Sequence, residues 1–508
     1  MIAVSDAWKD IHQRFLLAEG HIEIKCEVSE MGAQETATAN GTNEEFFSEV
    51  SKIADADKIS TSDRYATNEH NWWVLDGSLS ILPDSTPYNN AGYISGVSES
   101  GSVTLTLPEV HTVAIPGVMV VWDELHGECP SVFTVTAKNG DTVVAETTIT
   151  DNTESVCAVD LELTNYDSVT VTAHNWCVPN RRVRIEQVTL GHILTLTKKD
   201  IISYTHEQRG DLLSGELPKY SIEFALNNID GRWNPSNPTG IEKYLSERQR
   251  VTVKYGFKLD DGSIEWIKAG TFYLSEWNAP SNGLEARFVA RDIFEYLMNA
   301  DKKSATTGTL KALAETAIAD SLPEEAEVVL DNALTAYSAE YAGDGTSAVI
   351  LQKCANGARC VLRYDREGVL HVEPLNLTPS GYMIPLSLSY SHPEVKLTKP
   401  LRNVSVDYGA DAPYELSVSS VGETQTVNNS FVTTEAQASA LASWVRDTLN
   451  TRKSVSGDFR ADPRLDLFDI VEVESKYGKI TPVAITSIKY TFTGAFRGSY
   501  EGRVLEEV

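Results

Sequence analysis

The sequence predicts a mainly β, multidomain protein with a smaller α/β portion. Many short segments alternate apolar and polar residues, and turns rich in Gly, Asn, Asp and Pro separate them. At 508 residues the chain is also too long for a single core. The clearest strand is Tyr220-Ser221-Ile222-Glu223-Phe224-Ala225-Leu226, where every second side chain is apolar. Asp230-Gly231 and Asn234-Pro235 then interrupt the ladder, because Gly tolerates positive φ and Pro lacks the amide donor.

Taken in order, residues 6–17 have a helical pattern with Trp8, Ile11 and Phe15 on one face. Residues 21–28 alternate as a strand, and the polar, Ala- and Thr-rich stretch 31–43 reads as a loop. Between Ile59 and Gly191 lie strands at 102–107, 118–123, 133–137 and 168–172, with Asn139-Gly140-Asp141 as a hairpin turn, a spacing that argues for a β-sandwich. Further strands follow at 193–197, 250–255, 270–277 and 284–292, and 293–298 reads as a short helix. The texture changes over 301–380. Helices are expected near 309–318, with Thr309 as N-cap, and 346–355, followed by a hairpin whose turn is Asp365-Arg366-Glu367-Gly368. From about residue 387 the pattern is β again, with one long helix over 433–449 whose apolar stripe is Ala436, Leu441, Trp444, Val445 and Leu449.

The segments 193–292 and 400–508 share a plan. Each has a Val-rich strand (251–253; 471–473), an aromatic-rich strand (272–274; 490–492) and a closing mixed strand (287–289; 502–504). The likeness is one of architecture and not of sequence.

The order LPKYSIEFALNNIDGRWNPSNPTGIEKYL over 217–245, followed by QRVTVKYGF, WIKAGTFYLSEW, the turn Asp365–Gly368 and DPRLDLFDIVEV, resembles the tail-hub proteins of bacteriophages, found at the baseplate or tail tip. The resemblance implies four domains. Residues 1–55 with 193–300 form a discontinuous first hub β-barrel. Residues 56–192 form an inserted jelly roll like a carbohydrate-binding module, opened by Trp72-Trp73-Val74-Leu75-Asp76-Gly77 and closed by Arg181-Arg182-Val183-Arg184. Residues 301–385 form a small α/β subdomain, and 386–508 a second hub barrel carrying the long helix. It implies a structural role that adapts a six-fold tail tube to a three-fold tip and lines part of the DNA exit channel. The expected partners are two further copies in a homotrimer, a distal tail protein or tube ring, a tape-measure protein, and a spike, fibre or receptor-binding protein, with passing DNA not bound specifically. The expected location is the virion tail tip or baseplate. The alternative is a receptor or cell-wall glycan-binding tail protein whose sandwich makes the adhesive contact. In that case Trp72, Trp122, Trp176 and Tyr93 would stack on sugar faces and Arg181 would bond hydroxyls, although aromatics of a small sandwich also serve as core. Jelly rolls often hold a structural calcium ion, for which Asp76-Gly77-Ser78 offers oxygens without a full ligand set; no other cofactor is expected.

Bulk chemistry narrows the classes further. With 72 acidic against 43 basic residues and a net charge of −29, a general phosphate-gripping surface is not expected. The start, Met1-Ile2-Ala3-Val4-Ser5-Asp6, lacks a basic region followed by an apolar run, so no signal peptide is expected and synthesis is placed in the host bacterial cytoplasm. Six cysteines (Cys26, Cys129, Cys157, Cys177, Cys354 and Cys360) form no CxxC pair, arguing against zinc and for reduced, mostly buried thiols. No HExxH, GxSxG, phosphate-binding loop or paired catalytic carboxylate is present, so an enzyme is not expected and no catalytic or metal residue is assigned. Asp365 and Arg366 read as a charged tight turn.

Overall fold

The computed structural model describes residues 1–14, 19–29, 34, 36–41, 53–54, 66–67, 93–94 and 100–505, apart from short gaps at 113, 124–126, 179–182, 230, 235–236, 238–244, 246, 281–282, 301–303, 320, 323–325 and 344. The chain forms two compact units. One comprises Met1–Lys25, Thr195–Asn237 and Arg250–Val508; the other Cys26–Leu194 with Pro238–Gln249. The fold is mainly β, divided over several separate sheets, as the patterning predicts.

Helix α1 (Asp6–Gln13) opens the chain, capped by the Ser5 side chain, which accepts from the Trp8 amide. Strand β1 (Gly20–Ser29) follows and spans the boundary at Lys25. The second unit then holds β2 (Thr38–Asn40), β3 (Ala66–Thr67), β4 (Tyr93–Ile94), β5 (Gly101–His111), β6 (Ile115–Trp122), β7 (Pro130–Asn139), β8 (Thr142–Ile149), β9 (Val156–Leu163), β10 (Tyr166–Trp176) and most of β11 (Ile185–Thr197). Two antiparallel sheets, ordered β2-β5-β10-β7-β8 and β11-β6-β9, bury one shared core. Period-2 alternation assigns the faces. Val103, Leu105, Phe133, Val135, Val169 and Val171 point inward against Val118, Val120, Val159 and Val188. Outward, threonines bond across strands, Thr104 to Thr170 at 2.8 Å and Thr134 to Thr148 at 2.9 Å. The β7–β8 hairpin turns at Gly140, whose φ of +57° needs no Cβ tolerance.

This unit is wider than the 56–192 segment expected. The stretch read as a loop at 31–43 contributes β2, which pairs with β5. Its alternating Thr and Ala let Ala37 and Ala39 pack on the core. Gln34 secures it from one side, accepting from the Leu190 amide at 2.7 Å and donating to the Val188 carbonyl at 3.2 Å. Phe15 lies outside the described residues.

In the first unit, β12 (Ile201–Arg209), β13 (Lys219–Asn227), β14 (Arg250–Lys258), β15 (Ile264–Asn278) and β16 (Glu285–Arg291) form one set, all neighbours antiparallel, in the order β12-β13-β16-β15-β14, with β1 beyond β14. Asp292 and α2 (Phe294–Met298) end it. The buried Asp292 carboxylate accepts from the Tyr220 amide at 2.7 Å and the Phe294 amide at 2.9 Å.

The α/β portion comprises β17 (Thr306–Thr309), α3 (Leu310–Ile318), β18 (Val328–Leu330), β19 (Ser338–Tyr341), α4 (Ser347–Gly357), β20 (Val361–Tyr364) and β21 (Leu370–Glu373). Thr309 caps α3, accepting from the Ala312 amide at 3.2 Å. Leu310, Leu313, Ile350, Leu351 and Cys354 make the buried helix faces. Parallel β18 and antiparallel β20 flank β21.

The last stretch holds β22 (Pro379–Ile384), β23 (Glu394–Leu397), β24 (Leu401–Asp407), β25 (Tyr414–Ser417), β26 (Glu423–Asn428), α5 (Glu435–Leu449), β27 (Lys453–Phe459), β28 (Ile470–Ser475), β29 (Gly478–Phe492) and β30 (Phe496–Val504). Its strand order is β23-β27-β30-β29-β28, again antiparallel throughout, with β22 beyond β28. Position by position this matches β12-β13-β16-β15-β14 with β1 beyond it. The Val-rich, aromatic-rich and closing strands noted in the sequence occupy β14/β28, β15/β29 and β16/β30. Strands β24–β26 with α5 form a separate three-stranded sheet and helix inserted between β23 and β27, whose core also takes in Leu213 from the loop before β13. In α5 the buried stripe is Ala438, Leu441, Ala442 and Val445, with Trp444 and Leu449 at its margin. Ala436 is exposed, because the i, i+3, i+4, i+7 row runs from 438.

Trp122 is fully buried in the sandwich core, edge-on to Phe133 at 5.3 Å and to Trp176 at 6.1 Å. Trp122→Ala is therefore expected to destabilise the sandwich unit by about 3–5 kcal/mol. Differential scanning calorimetry of the full chain checks this; an unchanged profile would refute the packing role.

Candidate functional site

The residues proposed from sequence for sugar contact divide into two groups. Trp122 and Trp176 lie inside the sandwich, 0% and 5% exposed. The Trp176 indole N–H donates to the Glu128 carboxylate at 3.0 Å, and the same carboxylate meets the buried Arg184 guanidinium at 3.3 Å, with Asp123 3.5 Å from Arg184. Neither ring offers an open face for a pyranose, because the core needs both to fill the space between the sheets. Trp72, Arg181 and the Asp76-Gly77-Ser78 turn lie outside the described residues, as does the side chain of Tyr93, whose backbone belongs to β4. Among the described residues, no cluster of His, Cys, Asp and Glu has the makings of a metal site.

A dense polar assembly lies in the first unit, where its two matched strand sets meet. Strands β12 and β29 pair from Tyr204↔Phe492 to Arg209↔Ser487, turning Tyr204, His206 and Tyr490 inward. Tyr255 of β14 bonds the Tyr204 hydroxyl and His206 Nδ1, each at 2.8 Å. The Tyr490 hydroxyl donates to the carbonyls of Leu465 at 2.7 Å and Asp462 at 3.0 Å. Arg366, from the β20–β21 turn, donates to the carbonyls of Pro463 at 2.6 Å and Leu465 at 2.7 Å, with the Asp466 carboxylate 3.6 Å away. Asp462 is gripped by Arg464 at 2.5–3.1 Å and lies 3.8 Å from His12 of α1. Burial would push the Asp462 carboxyl up, but the Arg464 bonds and the His12 charge hold it below the usual carboxylate range.

This assembly joins segments distant in sequence, since its groups are buried and largely bonded to one another, with His206 Nε2, Gln208 Oε1 and Arg366 Nε left without a hydrogen-bond partner among the described residues. Burial, with the Arg366 charge behind it, pushes His206 down to about 3, so the ring stays neutral. Arg366 was legible only as one charge in a tight turn. Within that turn the Asp365 carboxylate accepts from the Gly368 and Val369 amides and meets His371 at 2.8 Å, which is local turn chemistry. The guanidinium instead leaves the turn for carbonyls almost a hundred residues away. The inward row Tyr204, His206, Gln208 is a period-2 signal that could have marked β12 as a polar seam.

The outer side of the same strands is open and polar. A depression of about 390 Å³ is lined by Glu207, Asp458, Glu501, Ser456, Ser487 and Ser499, among others. Lys489 is the one Lys or Arg among its lining residues, and it pairs with Glu207 at 3.0 Å.

Two outcomes follow. Arg366→Ala strands two carbonyls and Asp466, and is expected to cost about 3–5 kcal/mol in chemical denaturation; a loss below about 1 kcal/mol would rule out this joining role. His206 is neutral when folded but takes a proton near pH 6.5 when unfolded. Its contribution is complete above about pH 6.5 and is lost as pH falls toward 3, by up to about 5 kcal/mol. His206→Phe should flatten the melting-temperature profile between those values, and parallel profiles for the two proteins would refute it.

No protein-family model matches the sequence, and no curated protein matches it. Among solved structures, the chain is similar to the 43 kDa tail protein of prophage MuSo2 from Shewanella oneidensis, with 14% identity over 62% of this chain and 95% of that one at a TM-score of 0.45. It is similar also to a tail protein from Neisseria meningitidis MC58, with 12% identity over 62% and 94% at 0.44, and to the prophage tail protein gp18 from Listeria monocytogenes EGD-e, with 12% identity over 61% and 91% at 0.41.

Proposed function

We propose that this chain is a non-enzymatic structural hub of a phage or phage-like tail, in which three copies close a ring at the tip or baseplate. The observation that carries this reading is the repeated strand order, β12-β13-β16-β15-β14 against β23-β27-β30-β29-β28. Three chains bearing two such sets present six similar surfaces, which suits a six-fold tube on one side and a three-fold tip on the other.

The repeat also suggests how the ring closes. Within the chain, β12 crosses from its own set to pair with β29, giving β29 three strand neighbours (β28, β30 and β12). The matching strand β15 has two, β14 and β16. The counterpart of β12 is β23, an outer strand whose four residues are all exposed, Val395 and Leu397 included. In the ring, β23 of one copy takes beside β15 of the next the place that β12 takes beside β29. An edge strand that is short yet carries exposed apolar side chains supports this reading. The acidic and hydroxyl-rich face around Glu207, Asp458 and Glu501 then fronts the DNA path, where positive charge would retain phosphates. A tube ring or distal tail protein, a tape-measure protein, and a spike or fibre complete the assembly.

Cryo-electron microscopy of an assembled tail tests the reading. Three copies on the axis are expected, and six copies or an off-axis position would overturn it. Val395→Lys with Leu397→Lys should abolish ring formation while leaving the melting temperature of the single chain unchanged, because charges at a free edge oppose strand addition without touching the core.

A further inference from the structure

Three of the cysteines gather at one end of the sandwich. The β7–β10 register ends with Trp176↔Pro130, so the next opposed pair is Cys177 and Cys129. Their backbones remain bonded there: the Cys177 amide donates to the Cys129 carbonyl at 3.0 Å. The Cys129 amide in turn donates to the Cys177 sulfur at 3.4 Å, so that sulfur is folded back over its neighbour. Directly opposed residues of an antiparallel pair have Cα atoms about 4.5–5.5 Å apart, within the roughly 4.4–6.8 Å that a disulfide spans. Both cysteines are free thiols in this structure, Cys177 exposed and Cys129 buried.

We propose that Cys129 and Cys177 are an oxidisable pair that closes into a cross-strand disulfide, a covalent modification site at the end of the sandwich. A low-molecular-weight disulfide such as oxidised glutathione serves as oxidant. The exposed Cys177 thiolate attacks one glutathione sulfur, forming a mixed disulfide and releasing one glutathione thiolate. Cys129 then loses its proton, its sulfur attacks Cys177 Sγ, and the second glutathione leaves as thiolate. Two protein thiols are oxidised and one glutathione disulfide is reduced to two glutathiones. Burial, and then the neighbouring Cys177, push the Cys129 thiol up to about 11, which makes closure the slow step and one that speeds with rising pH.

Cys157, the third member, is turned elsewhere, donating to the Glu154 carbonyl at 3.0 Å and Asn152 Oδ1 at 3.3 Å. Beside the pair stand Trp176, Glu128 and the buried Arg184, so the bond would clamp the strand ends that carry this cluster. A chain made among reducing thiols would keep the pair open and acquire the bond on meeting an oxidant.

The test treats the full chain with oxidised glutathione and follows it by intact mass and peptide mapping. The expected result is a mass loss of about 2 Da with a Cys129–Cys177 cross-link, reversed by dithiothreitol. The melting of the sandwich unit should rise by roughly 5–10 °C. Cys177→Ser, at an exposed position, should melt like the reduced parent and show neither the mass loss nor the rise. A glutathione adduct persisting on Cys177, a Cys129–Cys157 link, or an equal rise in the Cys177→Ser protein would overturn the proposal.

Discussion

The pairing of β12 with β29 is the constraint on which the first unit depends. Each five-strand set ends at an edge, and an edge with unpaired amides and carbonyls is unstable against rearrangement. By laying β12 along β29, the chain satisfies one edge of the first set with a strand of the second. The sequence separation is nearly three hundred residues, so the contact closes a long loop of chain.

Because that joint turns Tyr204, His206 and Tyr490 inward, a polar seam lies where an aliphatic core would be simpler. Buried polar groups cost free energy unless bonded, and most of the bonds here are shared among distant segments, although His206 Nε2, Gln208 Oε1 and Arg366 Nε make none among the described residues. Tyr255 serves β12, and the 462–465 carbonyls serve Tyr490 and Arg366. Arg366 also ties the α/β portion to the loop before β28, while Ser214 ties the loop before β13 to Cys360 and Leu362. Such geometry selects one arrangement of the segments, since a shifted register would leave charges and carbonyls buried without partners.

The sandwich unit uses a different economy. Its core is aliphatic and aromatic, and a buried ionic group, Arg184 with Asp123 and Glu128, lies near the ends of β6 and β10 beside Trp176. Trp122 and Trp176, which suggest sugar stacking when read as a string, are buried as large fillers of this core. Their burial follows from position, which a list of aromatic residues does not contain.

What the sequence determined by itself was local and periodic. Alternation identified most strands, Asn139-Gly140 their hairpin, Thr309 a helix cap, and the Val-rich and aromatic-rich segments the repeated plan, because side-chain period and turn chemistry act over a few residues. The tertiary structure alone decided that β2 belongs to the sandwich, that β24–β26 and α5 stand apart from the strands around them, and that Trp122 and Trp176 face inward. It alone decided that Arg366 reaches Leu465 and that Cys129 lies opposite Cys177. These depend on contacts between segments far apart in the chain. Their free energy comes from satisfying buried groups together, a quantity that no short window of sequence carries.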